Sequence, residues 1–161
     1  MAESLIIPSG TKSEKYEQIF PQLKALLEVE TDTIANMANL CAALKYGMGF
    51  FWIGFYLVKK DELVLGPFQG PVACTRIKPG KGVCGKSWEL KETIIVDDVD
   101  QFPGHIACSS DSKSEIVIPF FDENKNVVGV LDIDSDSYSS FDEIDEAWLK
   151  KIISLIKGIN P

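Results

Sequence analysis

The chain reads as an α+β domain: a central, mostly antiparallel sheet of about six strands, with N- and C-terminal helices packed on it. Apolar residues near both ends recur at helical spacing, from Tyr16 to Leu27 and from Ile144 to Ile159. Between them lies a succession of short apolar runs, rich in β-branched and aromatic residues and divided by turn residues. Two of these runs, 114–121 and 127–134, are joined by Asp122-Glu123-Asn124-Lys125-Asn126 and form the clearest hairpin signal in the chain.

The first helix begins near Ser13-Glu14 and buries Tyr16, Ile19, Phe20, Leu23, Leu26 and Leu27 on one face. Pro21 interrupts it, so the helix kinks there or a fresh helix starts. A second helix over 31–46 has the stripe Ile34, Met37, Cys41 and Leu44, which makes Cys41 a core residue rather than a reactive one. Gly47-Met48-Gly49 ends it. Strands follow at 50–58 and 63–68, joined by the polar turn Lys59-Lys60-Asp61-Glu62. A further strand is expected at 71–77, a short helix at 83–88 and a strand at 93–96. Ser140-Phe141-Asp142-Glu143 has capping-box spacing before the last helix, whose face carries Ile144, Trp148, Ile152, Leu155, Ile156 and Ile159.

A chain of 161 residues fits one domain over 1–161, with 1–12 as an N-terminal extension. At 45% hydrophobic and 25% charged, the composition is that of an ordinary globular protein. No apolar run approaches the roughly 20 residues of a membrane span. The opening Met1-Ala2-Glu3-Ser4-Leu5-Ile6-Ile7-Pro8 lacks the basic and apolar regions of a secretory signal, so a cytoplasmic protein is expected. A net charge of −8 disfavours nucleic acid and anionic membranes and is hospitable to ammonium-bearing ligands, although a solvated acidic surface accounts for most of it. In a reducing compartment the four cysteines are reactive, metal-binding or buried rather than a disulfide framework.

The region from Cys74 to Cys108 holds three of the four cysteines and His105, the only histidine, and includes most of the long irregular segment 97–111. Loops of that length in compact domains usually have a task. Cys108, in the polar run Ala107-Cys108-Ser109-Ser110-Asp111, is the best-placed nucleophile, and Cys74 or Cys84 could resolve its oxidised form. Spacing alone does not separate this from three incidental cysteines. A zinc site from Cys74, Cys84, His105 and Cys108 has the right number of ligands but lacks the C-x2-4-C spacing of structural sites. His105 suits a general acid or thiol activator, or plain solvation. Asp132 and Asp134 share one face of their strand by its period of two, and Glu115 could join them across the sheet. Clustered carboxylates raise one another's pKa, leaving one able to donate a proton, and they attract ammonium. Gly80-Lys81-Gly82-Val83-Cys84-Gly85 lacks the order of a phosphate-binding loop.

These residues, taken together, resemble a known family. Phe51-Trp52-Ile53-Gly54-Phe55-Tyr56, Leu65-Gly66-Pro67-Phe68-Gln69-Gly70, Gly80-Lys81-Gly82-Val83-Cys84-Gly85, Val96-Asp97-Asp98-Val99, Gly104-His105-Ile106-Ala107-Cys108, Ser114-Glu115-Ile116-Val117-Ile118-Pro119 and Val130-Leu131-Asp132-Ile133-Asp134-Ser135 are similar to the free methionine-(R)-sulfoxide reductases, which are single GAF domains. The resemblance implies a GAF-like fold and an enzyme without a bound cofactor. It implies Cys108 as nucleophile, forming a sulfenic acid, and Cys74 as main resolving thiol in a disulfide reduced by thioredoxin. Cys84 would be an auxiliary resolver. Glu115, Asp132 and Asp134 would bind the sulfoxide oxygen and the ammonium group, one of them giving the proton, while Trp52 would pack on the methyl end. The family reading allows a homodimer. The alternative is a GAF module that senses a small molecule or redox state and turns nothing over.

Overall fold

The computed structural model of the protein describes residues 4–105 and 109–159. Helix α1, Lys12–Glu28, starts at a capping box: Thr11 accepts from the Glu14 amide, and the Glu14 carboxylate accepts from the Thr11 amide at 2.8 Å. The helix runs through Pro21 as one element and buries Tyr16, Ile19, Leu23 and Leu27. Helix α2, Thr33–Met48, is capped by Asp32 and stopped by Gly49 in the left-handed conformation. Ile34, expected on its buried stripe, is 52% exposed. The inward arc runs through Asn36, Met37, Leu40, Cys41 and Leu44, and Ile34 falls outside it.

Six strands form one sheet: β1 (Trp52–Lys59), β2 (Glu62–Gln69), β3 (Arg76–Ile77), β4 (Ile94–Val96), β5 (Ser114–Phe121) and β6 (Val127–Ser135). Their order is β3-β2-β1-β6-β5-β4, with every neighbouring pair antiparallel. The strand expected over 71–77 shrinks to Arg76–Ile77. Pro71 has no amide proton for a ladder, and the carbonyls of Pro71 and Cys74 are taken by the side chains of Trp52 and Tyr56 instead. Helix α3 spans Gly82–Leu90. The long segment after β4 contains one 3-10 turn, Val99–Gln101, capped by Asp98 and anchored by the buried Val99.

Helix α4, Glu143–Ile153, corrects two expectations. Its cap is Asp142 paired with Asp145, not Ser140, whose hydroxyl is engaged with Ser135 and the Ser137 carbonyl. The helix also stops before Leu155. Ile156 and Ile159 still reach the core from the turns beyond it, and Leu149 takes the inward place expected for Ile144, which is 43% exposed. Asp145 ties the two ends of the chain together, accepting from Tyr16 Oη at 2.8 Å and from Lys12.

Alternation along the strands divides the core between the two faces of the sheet. Ile53, Phe55, Ile116, Ile118, Leu131 and Ile133 pack with α1, α2 and α4. Trp52, Tyr56, Val117 and Val130 face the other way, toward α3 and the long loop. Among the described residues no helix is long and apolar enough to cross a membrane.

Candidate active site

The second face of the sheet becomes polar at one end. In the β1–β6 ladder Trp52 pairs with Asp134 and Gly54 with Asp132, and in the β5–β6 ladder Glu115 pairs with Asp134. Three carboxyl-bearing positions and one tryptophan therefore share a corner, brought together because β6 lies between β1 and β5. Gly54 makes room for the tryptophan. A Cβ there would collide with the far edge of the Trp52 ring and stand 2.6 Å from the Phe68 Cβ. The ring instead stacks between Phe68, at 5.5 Å, and Tyr56, at 6.2 Å between centroids.

Helix α3 closes the corner from above. Cys84, in its first turn, lies among the carboxyls, and an atom each of Cys84, Glu115 and Asp132 fall within 4.8 Å of one another. The Gly82 amide donates to the Gly104 carbonyl at 3.3 Å, which ties the long loop to the start of α3. The resulting pocket is walled by Trp52, Tyr56, Ala73, Val83 and His105, with Cys84 and the three carboxyls also lining it.

Electrostatics here are governed by burial. Glu115 is pushed well above the carboxylate range by loss of solvent and then by the charges of Asp132 and Asp134. Asp132 is raised by burial and by Asp134, and hydrogen bonds with Cys84 and Glu115 offset only part of this. Burial lifts Asp134 to about 6, against the pull of a hydrogen bond from Ser112. The Cys84 thiol is pushed up by burial and by its acidic neighbours, so it is held protonated. Burial lowers His105, with Asp100 opposing. The Oδ1 of Asp132, a residue of the pocket lining, is buried with no hydrogen-bond partner among the described residues, which leaves an acceptor open.

The sequence-predicted residues Trp52, Cys84, Glu115, Asp132 and Asp134 are thus assembled, and His105 stands on the same wall. Cys74, on the segment between β2 and β3, is disulfide-bonded, whereas Cys41 and Cys84 are free thiols. Cys108 lies outside the described residues. Among the described residues, an atom each of Cys84, Glu115 and Asp132 lie close enough to meet at one metal ion, but a thiol held protonated is a poor ligand. Cys74, held in a disulfide, offers no thiolate to a metal. Sequence reasoning missed Tyr56 and Ser112. Strand alternation carried the signal for Tyr56, which shares its face with Trp52; nothing local marked Ser112.

The sequence pattern of the GAF domain matches residues 30–157. GAF domain-containing protein A of Dictyostelium discoideum is 58% identical over 157 residues, covering 97% of this chain and 99% of that protein. The free methionine-R-sulfoxide reductase of Escherichia coli is 41% identical over 149 residues, covering 92% of this chain and 90% of that protein. The solved structure of the free methionine-R-sulfoxide reductase from Neisseria meningitidis in complex with its substrate matches with a TM-score of 0.92 at 47% identity, over 96% of this chain and 93% of that one. Sequence and fold agree along nearly the whole chain: it belongs to the GAF-domain family and, within it, to the free methionine-R-sulfoxide reductases.

Proposed function

We propose that this protein reduces free L-methionine-(R)-sulfoxide to L-methionine in the pocket between Trp52 and the acidic corner. The observation that carries the reading is the buried pair Glu115 and Asp132 with the half-buried Asp134 beside an aromatic wall, Asp132 Oδ1 having no partner among the described residues. A carboxylic acid that keeps its proton at neutral pH can donate it to a sulfoxide oxygen, making the sulfur electrophilic. The ionised member of the group suits the substrate ammonium. The face of Trp52 suits a methyl on partly cationic sulfur.

In this reading Cys108 attacks the activated sulfur. The sulfoxide oxygen ends on the Cys108 sulfur as a sulfenic acid, methionine leaves with its sulfur reduced by two electrons, and Cys108 is oxidised by the same two. Cys74 then attacks the sulfenic acid, water departs, and the resulting disulfide is reduced by thioredoxin. Engagement of Cys74 in a disulfide supports its role as resolving thiol. Cys84, free and held protonated, is an auxiliary resolver at most. No bound cofactor enters this cycle. The reading includes a cytoplasmic setting, a compartment in which thioredoxin keeps such thiols reduced. The reading includes a homodimer, supported by the exposed apolar side chains of Val29, Ile34 and Tyr46 on the α1–α2 side.

Thioredoxin-coupled NADPH consumption with the free R-sulfoxide tests the proposal, run on wild type and on Cys74→Ser, Cys84→Ser and Cys108→Ser. Turnover in wild type that disappears in Cys108→Ser is expected. No turnover in wild type would return the pocket to a small-molecule sensor, and normal turnover in Cys108→Ser would remove that residue as nucleophile.

A further inference from the structure

The segment 70–75 between β2 and β3 is tied at its far end by the Cys74 disulfide and by the Leu65 amide, which donates to the Thr75 carbonyl at 3.1 Å. It forms no strand, and Val72 at its centre is 87% exposed. Two side-chain donors on β1 add to these ties. Trp52 Nε1 donates to the Pro71 carbonyl at 2.9 Å, and Tyr56 Oη donates to the Cys74 carbonyl at 2.9 Å. Both donors also line the pocket. At the start of the segment, Gly70 has φ 140, and a Cβ there would stand 2.5 Å from Trp52 Cδ1, so only glycine lets the chain turn onto the indole. The Tyr56 hydroxyl shares its pocket with three carboxyl groups, yet its hydrogen bond goes to the backbone of Cys74.

We propose that Tyr56 is a positioning residue for the resolving step: with Trp52 it latches the segment 70–75 against the pocket and sets where the Cys74 thiol stands. This rests on the reading that Cys74 resolves an oxidised Cys108. In that step the Cys74 sulfur bonds to the Cys108 sulfur, the S–O bond of the sulfenic acid breaks, and its hydroxyl leaves as water with the thiol proton. Intramolecular attack of this kind depends steeply on placement. Loss of one latch bond therefore slows resolution more than it slows sulfoxide reduction.

The test mixes reduced enzyme with free methionine-(R)-sulfoxide in the absence of reductant. Methionine release, disulfide formation and the Cys108 dimedone adduct are followed together, in wild type and Tyr56→Phe. In the variant, disulfide formation is expected to slow about tenfold relative to methionine release, with a matching rise in the dimedone adduct. Gly70→Ala, which disturbs the same segment from its other end, is expected to shift the partition in the same direction and serves if Tyr56→Phe does not fold. A wild-type ratio of the two rates in both folded variants overturns the latch alone. In a Cys74→Ser background, where resolution by Cys74 is absent, Tyr56→Phe should slow the methionine burst far less than it slows disulfide formation in the Cys74 enzyme; an equal slowing would place Tyr56 in the sulfoxide chemistry and overturn the positioning role. Absence of methionine from wild type would instead overturn the reaction and the latch with it.

Discussion

Glu115 stands directly opposite Asp134 in the β5–β6 ladder, and its carboxyl also meets that of Asp132, one diagonal step along the same face. Like charges so placed repel strongly across a sheet. A fold that gathers three carboxyls in one corner, two of them buried, tolerates them by keeping protons among them, and the protons then belong to the group rather than to any one residue. That retained acidity is the chemical asset of the pocket.

Removing either inner carboxyl should therefore cost activity without costing stability. Glu115→Gln and Asp132→Asn are each expected to lower kcat/KM by about 100-fold or more, the scale of a lost general acid. Both should unfold at or above the wild-type temperature, because an isosteric amide ends the repulsion. Steady-state kinetics and thermal unfolding measured on the same preparations check this. Wild-type activity in both variants would sink the carboxylate assignment.

Asp134 makes a prediction about pH. Its folded value of about 6 lies above the 3.8 of an unperturbed aspartate, so the folded chain holds this proton more tightly than the unfolded one. The group's contribution to stability is fully present below about pH 4 and is lost as pH rises through about 6. The melting temperature of wild type minus that of Asp134→Asn should accordingly fall between these limits. Burial also raises Glu115 and Asp132, so their contributions run in the same direction in wild type. A difference that is flat from pH 4 to 7 would show that Asp134 is not held protonated by the fold.

Gly54→Ala tests the aromatic wall. The new methyl has no room between Trp52 and Phe68, so the indole must move off the pocket. A destabilisation of about 1–3 kcal/mol is expected for such overpacking, read from the urea midpoint, together with a raised KM for the free sulfoxide. Unchanged KM with lowered stability would mean that the position of the Trp52 ring does not set substrate affinity.

The elements of this fold were legible wherever the hydrophobic period was clean. The β5–β6 hairpin, the stripe of α1 and the core placement of Cys41 follow from periods of two and 3.6 residues. Boundaries were less legible where side chains compete for backbone groups. Ser140 had the spacing of a cap but bonds locally to Ser135 and Ser137, and Asp142 caps instead. The expected strand over 71–77 gave way because Pro71 cannot join a ladder and the aromatics of β1 take the carbonyls of Pro71 and Cys74.

The sequence by itself determined which residues could carry chemistry. Strand alternation places Asp132 and Asp134 on one face, and family resemblance singles out Trp52, Glu115 and the cysteines. Tertiary structure alone decided that these residues meet. Strand order sets β6 between β1 and β5 and so brings Trp52, Glu115 and the two aspartates to one corner, where α3 adds Cys84. Such pairings join residues far apart in the chain and are selected by burial on both faces of the sheet, a property of the whole core that no local pattern records.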